Sequence, residues 1–158
     1  APSKTFNLAG LQTSNIIIAN EKLRKVYQET MNRYGVNEPN FLGIIACMTA
    51  YNECELWVDE MLEYVYDNFT YFDEFLKENL PHIHLVKPEG LYLGWVDFRE
   101  CGLNKDELEK TMLEKAGLWL DEGYIFGTGG EGFERFNLAI PRSVLEDACQ
   151  RLLKAFGK

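Results

Sequence analysis

Paired cysteines, basic charge and long apolar runs are all missing from this sequence. The four cysteines, Cys47, Cys54, Cys101 and Cys149, form no CxxC pair, which argues against a structural zinc site. A chain of 158 residues with 46% hydrophobic content can build its own core, so a disulfide framework is not needed and free thiols in a reducing cytoplasm are expected. Lys and Arg number 16 against 25 Asp and Glu, a net charge of −9. That deficit removes the basic footprint that nucleic acid or an anionic membrane surface requires. No apolar run approaches the roughly 18 residues of a transmembrane helix, and the first residues lack a charged-then-apolar leader pattern. Histidine is scarce: only His82 and His84 are present. They would share one face of an extended segment, but no third ligand stands nearby, so no metal site is expected.

A dinucleotide site is also excluded. Gly127-Thr128-Gly129-Gly130-Glu131-Gly132 spells GxGxxG, but a strand follows it where a helix N-terminus would be needed. Glu131 would repel a phosphate there. A tight loop is the better account. Asn68-Phe69-Thr70 spells a glycosylation acceptor inside a helical pattern, and is read as accidental.

What is present is a mixed pattern of helices and strands. The β-branched run Ile16-Ile17-Ile18 within residues 8–19 predicts a strand or buried extended chain. Asn20 caps a helix that Gly35 stops. From Phe41 the pattern is helical almost to Asn79, with a break near Asn52-Glu53. Val58, Leu62, Val65, Phe69, Phe72 and Leu76 form its apolar stripe. After Pro81 and a turn at Pro88-Glu89-Gly90, residues 91–98 read as a strand. Asn104 and Glu107 form a capping box, opening a helix that turns Leu108, Met112 and Leu113 inward and ends near Gly117. Leu118-Trp119-Leu120 predicts a short strand and Phe133 to Ile140 a longer one. Ser143 and Glu146 predict a second capping box, with Val144, Leu145, Ala148, Cys149 and Leu152 facing inward. The order implies an α+β fold, with long helices packed on a small, mainly antiparallel sheet. Residues 1–35 are expected to form a segment separate from a domain of residues 36–158.

Two stretches carry candidate chemistry. Near the start, Lys4 sits beside Ser3 in a short polar loop that Pro2 stiffens. A lysine in such a place is usually a solvated surface group. In the strand 133–140, Phe136, Leu138 and Ile140 alternate with Arg135, Asn137 and Ala139, so Arg135 and Asn137 project from the face opposite the core. A strand-held arginine can offer its planar fork to a carboxylate. On pattern alone, pairing with a surface carboxylate is the commoner arrangement.

Taken together, these stretches resemble the C-terminal part of a fold-type I pyridoxal-phosphate (PLP) enzyme. The closest likeness is to the cystathionine β-lyase-like C–S lyase branch of the class I/II aminotransferases. The resemblance rests on Pro2-Ser3-Lys4-Thr5-Phe6-Asn7-Leu8-Ala9-Gly10-Leu11-Gln12-Thr13-Ser14-Asn15 and on Gly130-Glu131-Gly132-Phe133-Glu134-Arg135-Phe136-Asn137-Leu138-Ala139, continued by Pro141-Arg142-Ser143. Between them, residues 88–98 resemble the family's small-domain strand. The resemblance implies that Lys4 is the lysine that holds PLP, with Ser3 a contact to the cofactor phosphate. It implies that Arg135 binds the α-carboxylate of an amino acid substrate. The arginine that aspartate-aminotransferase-like members carry a few turns after the lysine is absent, and Gln12 and Thr13 stand in its neighbourhood. That departure favours β-elimination over transamination, which stays open as the alternative. The family's cofactor-binding half precedes the lysine, so the resemblance implies a longer parent, active in the cytoplasm as a homodimer. This chain alone is then expected to be inactive. A different class of reading is a binding or oligomerisation module without chemistry, using the aromatic helix from Trp57 to Phe72 as its interface.

Overall fold

Side-chain caps open two helices where the sequence places them, at Asn20 and at Asn104. The computed structural model describes residues 1–157, which form two compact units, Ala1–Met61 and Leu62–Lys158.

In the first unit, helix α1 (Glu21–Tyr34) opens where the Asn20 carboxamide accepts from the Leu23 N–H, and closes at Gly35 in the left-handed conformation (φ 65°). Helix α2 (Phe41–Glu53) opens in the same way on Asn40, which accepts from the Leu42 N–H. Helix α3 (Glu55–Asn79) begins after a break at Cys54, next to the break expected at Asn52-Glu53. Helix α2 is apolar on nearly every side. Only Gly43, Cys47 and Ala50 are buried, while Phe41, Leu42, Met48 and Tyr51 are exposed. The strand or buried extended chain expected within residues 8–19 is neither paired nor buried. A 3-10 turn covers Ala9–Leu11, and the isoleucines run unpaired, with Ile17 92% exposed. Without a partner strand to bond, β propensity alone does not make a strand.

The second unit is built on a four-stranded sheet in the order β1-β2-β4-β3, with strands β1 (His84–Val86), β2 (Leu93–Asp97), β3 (Asp121–Glu122) and β4 (Phe133–Asn137). Every pairing is antiparallel, as the α+β reading expects. Val96, Gly94 and Phe136 lie on the covered face. There Phe72 of α3 meets Phe136 with ring centroids 5.2 Å apart. Phe98, just past β2, meets Phe156 of the last helix at the same separation. Phe72, Leu76, Val96, Leu138, Leu145 and Leu152 are all buried, and each removes apolar surface worth roughly 1.5–3 kcal/mol of transfer energy.

Several local expectations fail for physical reasons. The strand expected at 118–120 forms one step later, at Asp121–Glu122, because that is where β4 offers partners, and Trp119 is left 89% exposed. Helix α4 (Lys105–Lys110) carries the expected capping box on Asn104 and Glu107, but its continuation over Thr111–Ala116 widens to a π-helix. The altered period turns Met112 and Ala116 inward and leaves Leu113 exposed. The final helix α5 (Arg142–Phe156) starts directly after Pro141, so Ser143 falls inside the first turn and is not the cap. Its inward face is Leu145, Cys149, Leu152 and Phe156, with Val144 exposed. In α3, Leu62 is likewise exposed, and the buried stripe begins at Val65. No described helix is long and apolar enough to cross a membrane.

Candidate active-site residues

Lys4 lies in a tight turn of the first unit. The Phe6 N–H donates to the Pro2 carbonyl at 3.0 Å, and the Leu8 N–H donates to the Ser3 carbonyl at 3.0 Å. Asn7 takes a left-handed conformation (φ 53°) to close it. Pro2 is buried, Ser3 is half-buried and Lys4 is exposed. The Phe6 ring fixes the turn against α2 and the start of α3, stacking on Trp57 at 6.0 Å and meeting Tyr51 edge-on at 5.7 Å. The backbone is thus held while the Lys4 amine reaches solvent. Among the described residues nothing pairs with that amine or with the Ser3 hydroxyl.

Arg135 lies on the open face of the sheet in the second unit, as the alternation predicts. Its neighbours on that face are Trp95 and Asp121, directly across from it on β2 and β3. Asp121 Oδ2 accepts from both Arg135 Nε, at 3.1 Å, and Arg135 Nη2. The Arg135 guanidinium carbon sits 4.5 Å above the Phe126 ring. Phe126 meets Trp95 edge-on at 5.7 Å, and Trp95 stacks on Phe133 at 5.4 Å. A cavity of about 360 Å³ opens beside the arginine, lined by Trp119, Leu120, Asp121, Arg135 and Asn137.

The glycine-rich loop packs on the 3-10 turn Gly123–Phe126, which carries Phe126. Gly123 and Gly130 face each other so closely that a Cβ on Gly130 would lie 1.9 Å from the Gly123 carbonyl oxygen. Gly130→Ala must therefore separate two backbones in the loop that carries Phe126. It is expected to destabilise the protein by about 2 kcal/mol in urea titrations. An unchanged midpoint would show that the loop yields freely.

Three polar residues outside the expected site organise the second unit. Asn68 is fully buried, so it cannot serve as a glycosylation acceptor in the fold, and its carboxamide ties α3 to the end of the β4 segment. Glu134 points into the covered face, opposite Glu122 of β3. Burial first, then the charges of Glu122, Glu109 and Asp121, push its pKa up to about 8. Asp121 is the third. The parity that puts Phe136 inside also puts Glu134 inside, so this signal was present in the sequence. The Asp121 contact had none, because it depends on strand register.

The remaining candidates stay quiet. His84 contacts Glu100 at 3.2 Å on an exposed edge, and no cluster of three His, Cys, Asp or Glu side chains suited to a metal ion occurs among the described residues. Cys149 is fully buried, and burial pushes its thiol up to about 12, so it offers no thiolate nucleophile.

No family model matches the chain. Cystathionine β-lyase PatB of Bacillus subtilis (strain 168) is 38% identical over 157 residues, covering 99% of this chain and 41% of its own length. Cystalysin of Treponema denticola, whose crystal structure contains pyridoxal 5′-phosphate, superimposes with a TM-score of 0.94 at 42% identity, over 98% of this chain and 39% of its own. The chain is related to the C-terminal part of the PLP-dependent C–S lyases. It spans about two fifths of the length of the curated relatives it matches. Among the curated relatives, an aspartate aminotransferase of Pyrococcus horikoshii is 25% identical over 97% of this chain and 39% of its own length. The fold is accordingly that of fold-type I PLP enzymes.

Proposed function

We propose that this chain is the C-terminal part of a PLP-dependent C–S lyase, which splits a sulfur amino acid such as cystathionine by β-elimination. The observation that carries this reading is the 38% identity to a cystathionine β-lyase along 99% of the chain. On this reading, residues 1–35 belong to the larger, cofactor-holding domain and residues 36–158 to the small domain. The parent works in the cytoplasm as a homodimer.

The residues fit the cofactor. Lys4 supplies an exposed, unpaired amine on a fixed turn, suited to a covalent bond with an aldehyde, and Ser3 supplies a hydroxyl for a phosphate. PLP, when bound, supplies the electron sink for carbanion chemistry at the substrate Cα. The Lys4 amine would take the proton from the substrate Cα. Arg135 would hold the substrate α-carboxylate and so orient its Cα.

The test uses the full-length parent. It is expected to convert cystathionine and water to homocysteine, pyruvate and ammonia, and Lys4→Ala should lower that rate by about 10³-fold or more. Borohydride reduction followed by peptide mass spectrometry should find the cofactor on Lys4. Amino-group transfer to a 2-oxoacid without pyruvate release would favour the aminotransferase reading instead.

A further inference from the structure

We propose that Asp121 is the positioning residue of this site: it holds the Arg135 guanidinium in one plane and leaves its far edge for a ligand carboxylate. The inference rests on the reading of Arg135 as the carboxylate binder.

An arginine side chain has four rotatable bonds, and ordering it on binding a ligand opposes affinity. Here that ordering is already done. Strand β3 is only Asp121–Glu122, and its register sets Asp121 directly across from Arg135. One oxygen, Asp121 Oδ2, accepts from both Nε and Nη2. Phe126 supports the guanidinium from below at 4.5 Å and is itself braced by Trp95. Among the described residues nothing pairs with Nη1. The Asn137 side-chain Oδ1 accepts from the Ala139 N–H, so its Nδ2 donors are left over. Both side chains line the cavity of about 360 Å³, whose one carboxylate, Asp121, is already committed to Arg135. The donors that remain suit an incoming carboxylate.

Asp121 could oppose ligand binding by charge, since it is an anion beside the arginine. Its side chain is 50% exposed, however, and at that exposure water screens its charge, whereas the orientation it imposes is not screened. The geometric effect is therefore expected to win. The charge effect can be separated with Asp121→Asn, which keeps an acceptor oxygen and removes the charge.

The experiment is an acetate titration of the 158-residue chain at constant ionic strength, read by NMR on the Arg135 Nε–H and the Trp119 indole N–H. Wild type should show a saturable shift. Asp121→Ala should move the midpoint about fivefold higher, and Asp121→Asn should stay within about twofold of wild type. Backbone spectra of each variant establish that the fold persists, and Asp121→Ser serves in place of alanine if it does not. Unchanged or tighter binding by Asp121→Ala overturns the proposal and makes Asp121 a bystander or a competitor. In Arg135→Lys, persistence of the acetate-dependent Trp119 shift would overturn the carboxylate reading itself, and the proposal with it.

Discussion

Asn68→Asp is expected to destabilise the unit Leu62–Lys158 by at least about 3 kcal/mol, although it barely changes side-chain size. The Asn68 Nδ2 donates to the carbonyls of Leu138 and Ile140, each at 2.9 Å, and Oδ1 accepts from Arg142 Nε at 2.9 Å. All of the carboxamide's bonding is thus spent on holding the exit of β4 and the start of α5 to α3. Aspartate would turn an acceptor toward two carbonyl oxygens in a fully buried place. Alanine should cost a similar amount by leaving those carbonyls without a donor. Chemical denaturation of the three proteins at neutral pH measures this. If Asn68→Asp proved as stable as wild type, the hydrogen bonds could not be what anchors the segment behind Arg135.

Stability should fall as pH rises from about 5 to about 8, and Glu134 is the reason. Its ordinary value is 4.5, and in the fold it rises to about 8 through burial and the neighbouring Glu122, Glu109 and Asp121. Between those values the native state keeps a proton that the unfolded chain has lost. Stability is then fully present below the lower value and is lost as pH climbs through the upper one. The slope approaches roughly 1 kcal/mol per pH unit inside that window. Glu134→Gln, which keeps the shape and removes the charge, should flatten the window and stabilise the protein by about 3 kcal/mol at pH 8. Urea midpoints at several pH values for both proteins provide the measurement. Parallel curves would mean that Glu134 ionises freely in the fold.

The two effects bear on the same strand. Glu134 and Arg135 are adjacent on β4, one turned inward and one outward, and Asn68 secures the chain just beyond them. The position of the arginine is therefore sensitive to substitutions that never touch a ligand.

Local chemistry was legible in the sequence wherever the bonding partners lie within a few residues. Asn20, Gly35 and the Asn104–Glu107 box are satisfied by their own helix ends, so their letters were enough to place them. Alternation along residues 133–137 was enough to turn Arg135 away from the core, because a strand's side chains alternate whatever it pairs with. Motif likeness singled out Lys4 and Arg135, and whole-chain similarity to C–S lyases supports the family from which that likeness was drawn. Tertiary structure decided the rest. Whether Ile16-Ile17-Ile18 became a strand depended on a partner that does not reach it. Whether β3 formed at 118 or at 121 depended on β4. The bond between Asp121 and Arg135 joins residues fourteen apart, and only the hydrogen-bonded register of two strands brings them face to face.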